Sequence, residues 1–469
     1  MIRSTPIALS LWVLASAVLA AETAEFTVDC SKTAGAIRPL HGGNCGPLQY
    51  GDLVDLSAYH REIRIPFTRL HDCHWPTPDV VDIHTIFPNF EADPEKPESY
   101  DFRRTDEYIQ SVLGTGSKIV YRLGESIEHT QKKYHVHPPK DAAKWAAICC
   151  GIIRHYNEGW ANGFRHGIQY WEIWNEPENQ PAMWTGSDDD YFMLYETAAK
   201  TIKSRWPDLK VGGPSLGHSL DKKDGRFVPG KFFKAFLARI KERGLPIDFF
   251  SWHLYTDDPA ECVARSKAVR EILDEHGLQK AESHFNEWNY LPGKDWTPFT
   301  RRGQGELRER CLAEIGGAPG AAFDAAVLIN LQDSPVDVAN FYKNDNHGFA
   351  MFSPNGVPLK NFYAFKAFSM LLDTLRVEAT GATASRAGIL AGMNAARTEL
   401  RILVSNFQER ASIRLSTKNL PWDRARFELY LLDSAHNLER VREGLWDGGV
   451  NLSELFRPPS VTVLVITPR

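Results

Sequence analysis

The chain has no Cys-x-x-Cys pair, no His-Glu-x-x-His or His-x-x-Glu-His helix motif, no internal repeat and no low-complexity segment. The first absence removes the commonest zinc frameworks and the second removes the helical metallohydrolase signatures. Basic residues are not in excess: 54 Lys and Arg stand against 59 Asp and Glu, a net charge of −5. That balance lacks the cationic footprint of a nucleic-acid-binding protein. Beyond the N-terminal segment no apolar run reaches the roughly 20 residues a membrane-spanning helix needs. Cysteine is sparse and odd in number, seven in all, and these read as small buried hydrophobes. No metal and no cofactor is expected.

The N-terminus, MIRSTPIALSLWVLASAVLAAE, places Arg3 before an apolar stretch that begins at Ile7 and ends in the small-residue sequence Val18-Leu19-Ala20. This is the pattern of a cleaved export signal over residues 1–20, with the mature protein starting near Ala21 and located in the periplasm or outside the cell. The rest has the composition of a globular protein, with 43% hydrophobic and 24% charged residues over a length that favours two domains. Thirteen Trp and fifteen Tyr provide flat amphipathic rings suited to stacking on sugars, although most such rings are core.

From residue 37 to 373 short β-branched or aromatic runs alternate with amphipathic stretches, which predicts βα units around a parallel sheet. Eight strands are expected, at 37–44, 65–72, 118–125, 168–176, 209–215, 247–255, 281–289 and 325–333. Eight units predict an α/β fold of the (β/α)8 TIM-barrel type, its first helix poorly marked. Residues 79–100, rich in Pro and acidic side chains, read as a long loop over the barrel top. Residues 374–469 change to short alternating runs split by Gly, Asn and Pro, which predicts an antiparallel β-sandwich domain. The run at 21–36 alternates likewise and is expected to join it.

In such a barrel the working side chains sit at the C-terminal ends of the strands. Those ends carry Asn44, Arg69, His71, Asp72, Glu125, Asn175, Glu176, Ser215, His253, Tyr255, Asn286 and Glu287. Glu176 closes the fourth strand in Trp-Asn-Glu-Pro and Glu287 closes the seventh in Asn-Glu-Trp-Asn. Both face the barrel mouth, and a pair of carboxylates there is the chemistry of glycoside hydrolysis. The three segments YWEIWNEPE, FSWHLY and NEWN, with a flanking β-domain, resemble glycoside hydrolase family 39, the β-xylosidase and α-L-iduronidase family of the retaining clan A enzymes.

The resemblance implies Glu176 as general acid/base and Glu287 as nucleophile. Asn175 would contact the sugar 2-hydroxyl, Tyr255 would bond the nucleophile, His253 would contact the acid/base or substrate, and Arg69 would support the nucleophile. It implies an oligosaccharide or polysaccharide substrate, most often a β-xyloside, with an arabinofuranoside, a galactoside or non-catalytic sugar binding as alternatives.

Other readings come from the residues alone. Trp171 and Trp174 are expected to lie against Glu176 and keep it protonated. Glu172 reads as a barrel-interior carboxylate paired with a cation such as Arg122, and Glu178 as a loop residue. Glu125 reads equally as a sugar contact or an ion-pair partner of Arg69. His71 and Asp72 are candidate sugar contacts, and with His74 they could instead form a metal cluster. Trp288, Trp75 and Tyr290 are candidate stacking platforms. The expected eighth strand carries no aromatic residue at its end.

Overall fold

The computed structural model describes residues 23–49, 53–75, 79–300, 302–346, 348–451 and 456–469. The predicted export signal lies outside these residues. Eight parallel strands close into a barrel in the order Gly42–Asn44, Phe67–Leu70, Lys118–Leu123, Tyr170–Ile173, Lys210–Leu216, Phe249–Thr256, Glu282–Tyr290 and Val338–Phe341, the last pairing with the first. Seven of these fall where the sequence predicts them.

The eighth does not. Residues 325–333, expected to be strand, fall in a helix, Ala318–Asn330, and the turn Leu331–Asp333 after it, and the eighth strand follows at Val338–Phe341. All of that helix except Pro319 and Asn330 is buried, so its pattern shows no solvent-facing stripe and periodicity carries no helix signal. Its alanines and the proline in its first turn are what favour a helix. It is buried because the C-terminal domain lies on it: Ser405 Oγ donates to the Ala322 carbonyl at 2.6 Å, and Gly388 packs against Ile329. With its neighbour Gly305–Ile315 it has the length and apolarity of a bent membrane span, but its place between barrel and sheet accounts for that composition. Among the described residues no single helix is long and apolar enough to cross a membrane.

The first helix, Ser57–Ile63, has seven residues and no side-chain cap at its N-terminus, which explains its weak sequence signal. The later ones carry clear signals. Asp141 caps Ala142–Asn157, and Ser187 with Asp190 makes a capping box on Asp188–Arg205. Residues 79–100 are more than a loop: they hold the short helix Ile83–Ile86 and bury Val80, Val81, Ile83, Ile86 and Phe87.

The C-terminal region is one nine-stranded, mostly antiparallel sheet. Thr23–Ala36 is part of it, pairing antiparallel with Thr374–Thr380 and parallel with Ser412–Lys418. The two ends of the sheet, Asn437–Trp446 and Gly449–Asn451, are joined only by Asp447 and Gly448. So short a link forces the sheet to curl over on itself, and Trp446 Nε1 reaches Thr417 Oγ1 across the fold at 2.8 Å. Its inner face is a separate core containing Phe26, Val28, Ile402, Leu429 and Ile466. Its outer face, through Leu403, Val461 and Val463, joins the core of the barrel. All seven cysteines are buried and unpaired, as small hydrophobes would be.

Candidate active site

Arg69, on the second barrel strand, is completely buried and uses all five of its N–H groups. Nε donates to Glu172 Oε2 at 2.7 Å; Nη1 donates to Asn44 Oδ1 at 3.0 Å and Glu287 Oε2 at 3.2 Å; Nη2 donates to Asn175 Oδ1 at 2.6 Å and Ser215 Oγ at 2.7 Å. One planar fork thus ties together residues from strands one, two, four, five and seven. Glu172 is the interior carboxylate expected, but its cation is Arg69. Its other oxygen accepts from Asn286 Nδ2 at 2.6 Å.

The backbone is irregular where these side chains turn into the mouth. Asp72, Trp174, Glu176 and Ser215 all have positive φ, at 51°, 70°, 43° and 60°. Such left-handed conformations in non-glycine residues are costly and concentrate at functional sites. Between the sixth and seventh strands the pairing slips, from Trp252 opposite Phe285 to His253 opposite Glu287. Asn286 is the extra residue, and the bulge lets both Asn286 and Glu287 face the barrel interior.

Above Arg69 lies an open cavity of about 890 Å³. His71, Asp72, Asn175, Glu176, Glu178, His253, Tyr255 and Glu287 line it, with Trp296, Phe299, Tyr342 and Phe349 as aromatic wall. Glu287 accepts from Tyr255 Oη at 2.7 Å and from Arg69. Glu176 makes a 2.8 Å contact through Oε1 with His253 Nδ1 and accepts from Asn179 Nδ2 at 2.9 Å. One carboxylate oxygen of Glu176, one of Glu287 and a ring nitrogen of His253 lie within 4.8 Å of one another. Gly217 makes room for the acid: a Cβ there would come within 2.4 Å of Glu176 Oε1. Because Arg69 occupies Asn175 Oδ1, the amide nitrogen is the group Asn175 has left to offer the cavity.

Burial raises the proton affinity of both carboxyls. For Glu287 it dominates, and the negative charge of Glu176 adds to it, against the charges of His253 and Arg69 and the Tyr255 bond. For Glu176 the hydrogen bond and positive charge of His253, the Asn179 bond and Arg69 outweigh burial and hold the carboxyl below its ordinary range. The expectation of a protonated Glu176 therefore fails for as long as His253 is a cation. The tryptophans do not help it. Trp171 stacks on Tyr121, and Trp174, turned away by its left-handed backbone, packs against Trp184 and Trp145.

Four other expected contacts are elsewhere. Glu125 meets neither the cavity nor Arg69; it pairs with His84 at 2.5 Å, brought in by the 79–100 segment. Trp288 is fully buried against Phe285, Phe341 and Phe365, because the residue after an inward-facing Glu287 points outward. Trp75 stacks on Tyr108 and Tyr290 packs on Phe323 and Phe407, both as core. Arg69 is walled off from the cavity and acts on its residues rather than on a ligand.

His71 and Asp72 do line the cavity, with Asp72 held by Tyr342 Oη at 3.0 Å and the Ile127 N–H at 3.1 Å, whereas His74 is exposed and outside it. His71, Asp72 and His74 thus form no metal cluster. Among the described residues Asp82, His84 and Glu125 come close enough to hold an ion, but Asp82 is bound to the Arg122 guanidinium at 2.5 Å and to the Ser126 N–H. A fixed cation at that point opposes a second one.

Among the residues that sequence reading missed are Tyr342, Lys343, Trp296, Phe299 and Phe349, with Asn179 and Gly217 beside Glu176. Tyr342 supplies the aromatic ring absent from the expected eighth strand, and it was hidden by the displacement of that strand. Glu178, expected in a loop, also lines the cavity; burial and the charge of Glu176 push its carboxyl up to about 8.

The family model "Glycosyl hydrolases family 39" matches residues 55–288, a span that begins before the second barrel strand and ends one residue past Glu287. A curated beta-xylosidase of Geobacillus stearothermophilus is 26% identical over 324 residues, covering 62% of this chain and 60% of the relative. A second, from Caldicellulosiruptor saccharolyticus, is 27% identical over 302 residues, covering 58% and 52%. The chain thus spans about half to three fifths of the length of these relatives. Among solved structures, a glucosidase from Croceicoccus marinus superposes with a TM-score of 0.78 at 24% identity, covering 95% of this chain and 99% of the other. A GH39 enzyme from Xanthomonas axonopodis pv. citri gives 0.72 at 17% identity, covering 97% and 100%. These two are likenesses of fold.

Proposed function

We propose that this chain, which belongs to glycosyl hydrolase family 39, is a retaining glycosidase that cleaves an O-glycosidic bond of an oligosaccharide or polysaccharide, with a β-xyloside as the first candidate. The observation that carries the reading is the approach of Glu176 and Glu287 to within 4.8 Å, oxygen to oxygen, in one cavity. Retention calls for carboxyl groups about 5 to 5.5 Å apart, whereas inversion leaves roughly 6.5 to 9.5 Å for a water. The xyloside is favoured by the two curated relatives.

In this reading Glu287 is the nucleophile, held by Tyr255 and Arg69 with one oxygen aimed at the anomeric carbon. Glu176 is the acid/base. In the first step a Glu287 oxygen forms an ester to the anomeric carbon while the glycosidic C–O bond breaks, and the Glu176 proton goes to the leaving oxygen. In the second step Glu176 takes a proton from water, whose oxygen attacks the anomeric carbon and releases Glu287. In this reading the Asn175 amide donates to the 2-hydroxyl, and His71 and Asp72 bind other hydroxyls. Export under the N-terminal signal belongs to the same proposal, and N-terminal sequencing of the secreted protein tests it against a start near Ala21.

A panel of p-nitrophenyl glycosides, β-xyloside first and then arabinofuranoside and galactoside, identifies the sugar. Proton NMR of the first-formed product reads the anomer. Turnover with retention, undiminished by a chelator, is the expected result. Sugar binding without turnover of any glycoside would make the chain a carbohydrate-binding barrel.

A further inference from the structure

The state of His253 decides whether Glu176 can hold its proton, and the hydrogen bonds around Ser215 decide the state of His253. Ser215, next to last in the fifth strand, sits at a slip in its pairing with the sixth, from Pro214 opposite Ser251 to Leu216 opposite Trp252. Its hydroxyl is thereby turned into the barrel. A serine hydroxyl has one proton to give and two lone pairs to fill.

Arg69 Nη2 at 2.7 Å and Asn286 Nδ2 at 3.1 Å both point at Ser215 Oγ. Arginine only donates. The Asn286 amide is fixed in orientation because the same nitrogen donates to the Glu172 carboxylate. These two donors fill the lone pairs. Three acceptors remain for the proton, Asn286 Oδ1 at 3.5 Å, Asn175 Oδ1 at 3.1 Å and His253 Nε2 at 2.7 Å. Asn175 Oδ1 already receives a hydrogen bond from Arg69. The shortest contact, to His253, takes the proton, so Nε2 is an acceptor and the ring hydrogen sits on Nδ1, 2.8 Å from Glu176 Oε1.

We infer that Ser215 is a positioning residue that holds His253 as the neutral Nδ1–H tautomer, a single fixed donor to Glu176. The inference rests on the reading of Glu176 as acid/base. Two carboxylates face the ring, Glu176 at 2.8 Å from Nδ1 and Glu287 at 3.7 Å from Nε2, and His71 acts on it through space. The saturated Ser215 oxygen decides between the two ring nitrogens, because a proton on Nε2 would meet a hydroxyl with no lone pair free. A neutral His253 removes one of the charges that pull Glu176 down; its hydrogen bond, the Asn179 bond and Arg69 still act against burial, so the acid holds its proton more readily than it would beside an imidazolium.

The test is long-range proton–nitrogen NMR of protein labelled with ¹⁵N-histidine, the His253 signals being identified by their loss in His253→Asn. The unprotonated nitrogen of a neutral ring resonates far downfield of the protonated one. The expected wild-type spectrum at neutral pH has Nε2 downfield and Nδ1 protonated; a proton on Nε2 of the wild-type ring would overturn the proposal. Ser215→Ala and Ser215→Gly both remove the hydroxyl, and glycine suits the φ of 60° at this position. In both, Nε2 is expected to gain a proton and the alkaline limb of kcat/KM to move to lower pH. A folded variant that keeps the Nδ1–H tautomer would overturn the proposal equally. The spectrum does not depend on turnover. An inactive wild-type protein with the Nδ1–H ring refutes the glycosidase reading alone, whereas an active one with a protonated Nε2 refutes the role of Ser215 alone.

Discussion

Arg69→Lys keeps the positive charge and loses the fork. A lysine ammonium offers three N–H groups from one atom, against five from the guanidinium spread over Glu172, Asn44, Glu287, Asn175 and Ser215. At least two buried acceptors lose their donor, at about 1 to 3 kcal/mol each, or about 2 to 6 kcal/mol in total. A domain's whole stability is about 5 to 15 kcal/mol, so the variant is expected to be severely destabilised. Equilibrium unfolding in urea reads this as a lower midpoint at unchanged slope. Glu172→Gln is the companion: its amide nitrogen meets a donor from either Arg69 or Asn286, and the double variant should show strong coupling between the two sites. Stability of Arg69→Lys within about 0.5 kcal/mol of wild type, the range of an ordinary surface change, would refute the reasoning.

Tyr255→Phe removes one hydrogen bond to a Glu287 oxygen; a bond to a charged group is worth about 1.5 to 3 kcal/mol, so kcat/KM should fall roughly 10- to 100-fold if the bond is kept in the transition state and lost in the variant. Gly217→Ala forces the Glu176 carboxylate aside and should lower kcat by about 100-fold, whereas stability, read by thermal melting, should move far less. Glu178 titrates at about 8 when folded against an ordinary 4.5, so the folded state binds the proton more tightly and wild type loses stability as pH rises through that window. Glu178→Gln has no such loss, and its Tm should gain on wild type as the pH of the melt is raised from 5 toward 8, all within the same window.

Both carboxylates were legible because a barrel strand points alternate residues inward and ends at the mouth, so position along the strand reports position in the site. The same rule would have placed Trp288 outside, next to an inward Glu287. Trp174 broke alternation through a backbone turn that the sequence does not encode visibly. The helix Ala318–Asn330 escaped because burial on every side erased its periodicity, and with it went the true eighth strand and Tyr342 behind it. Partners were the least legible feature. Glu125 with His84, and Glu172 with Arg69, are set by which segments the fold brings together, and charge type alone left several cations open to each. The proton affinity of Glu176 is a matter of partners in the same way, since it turns on His253 and not on neighbouring tryptophans.

The most direct test of the central claim is trapping with a 2-deoxy-2-fluoro glycoside of the preferred sugar, followed by intact-mass measurement and peptide mapping. The expected result is one covalent glycosyl adduct per chain, an ester on Glu287, that disappears when turnover resumes. An active enzyme that forms no adduct, or that carries the sugar on any residue other than Glu287, would contradict the account.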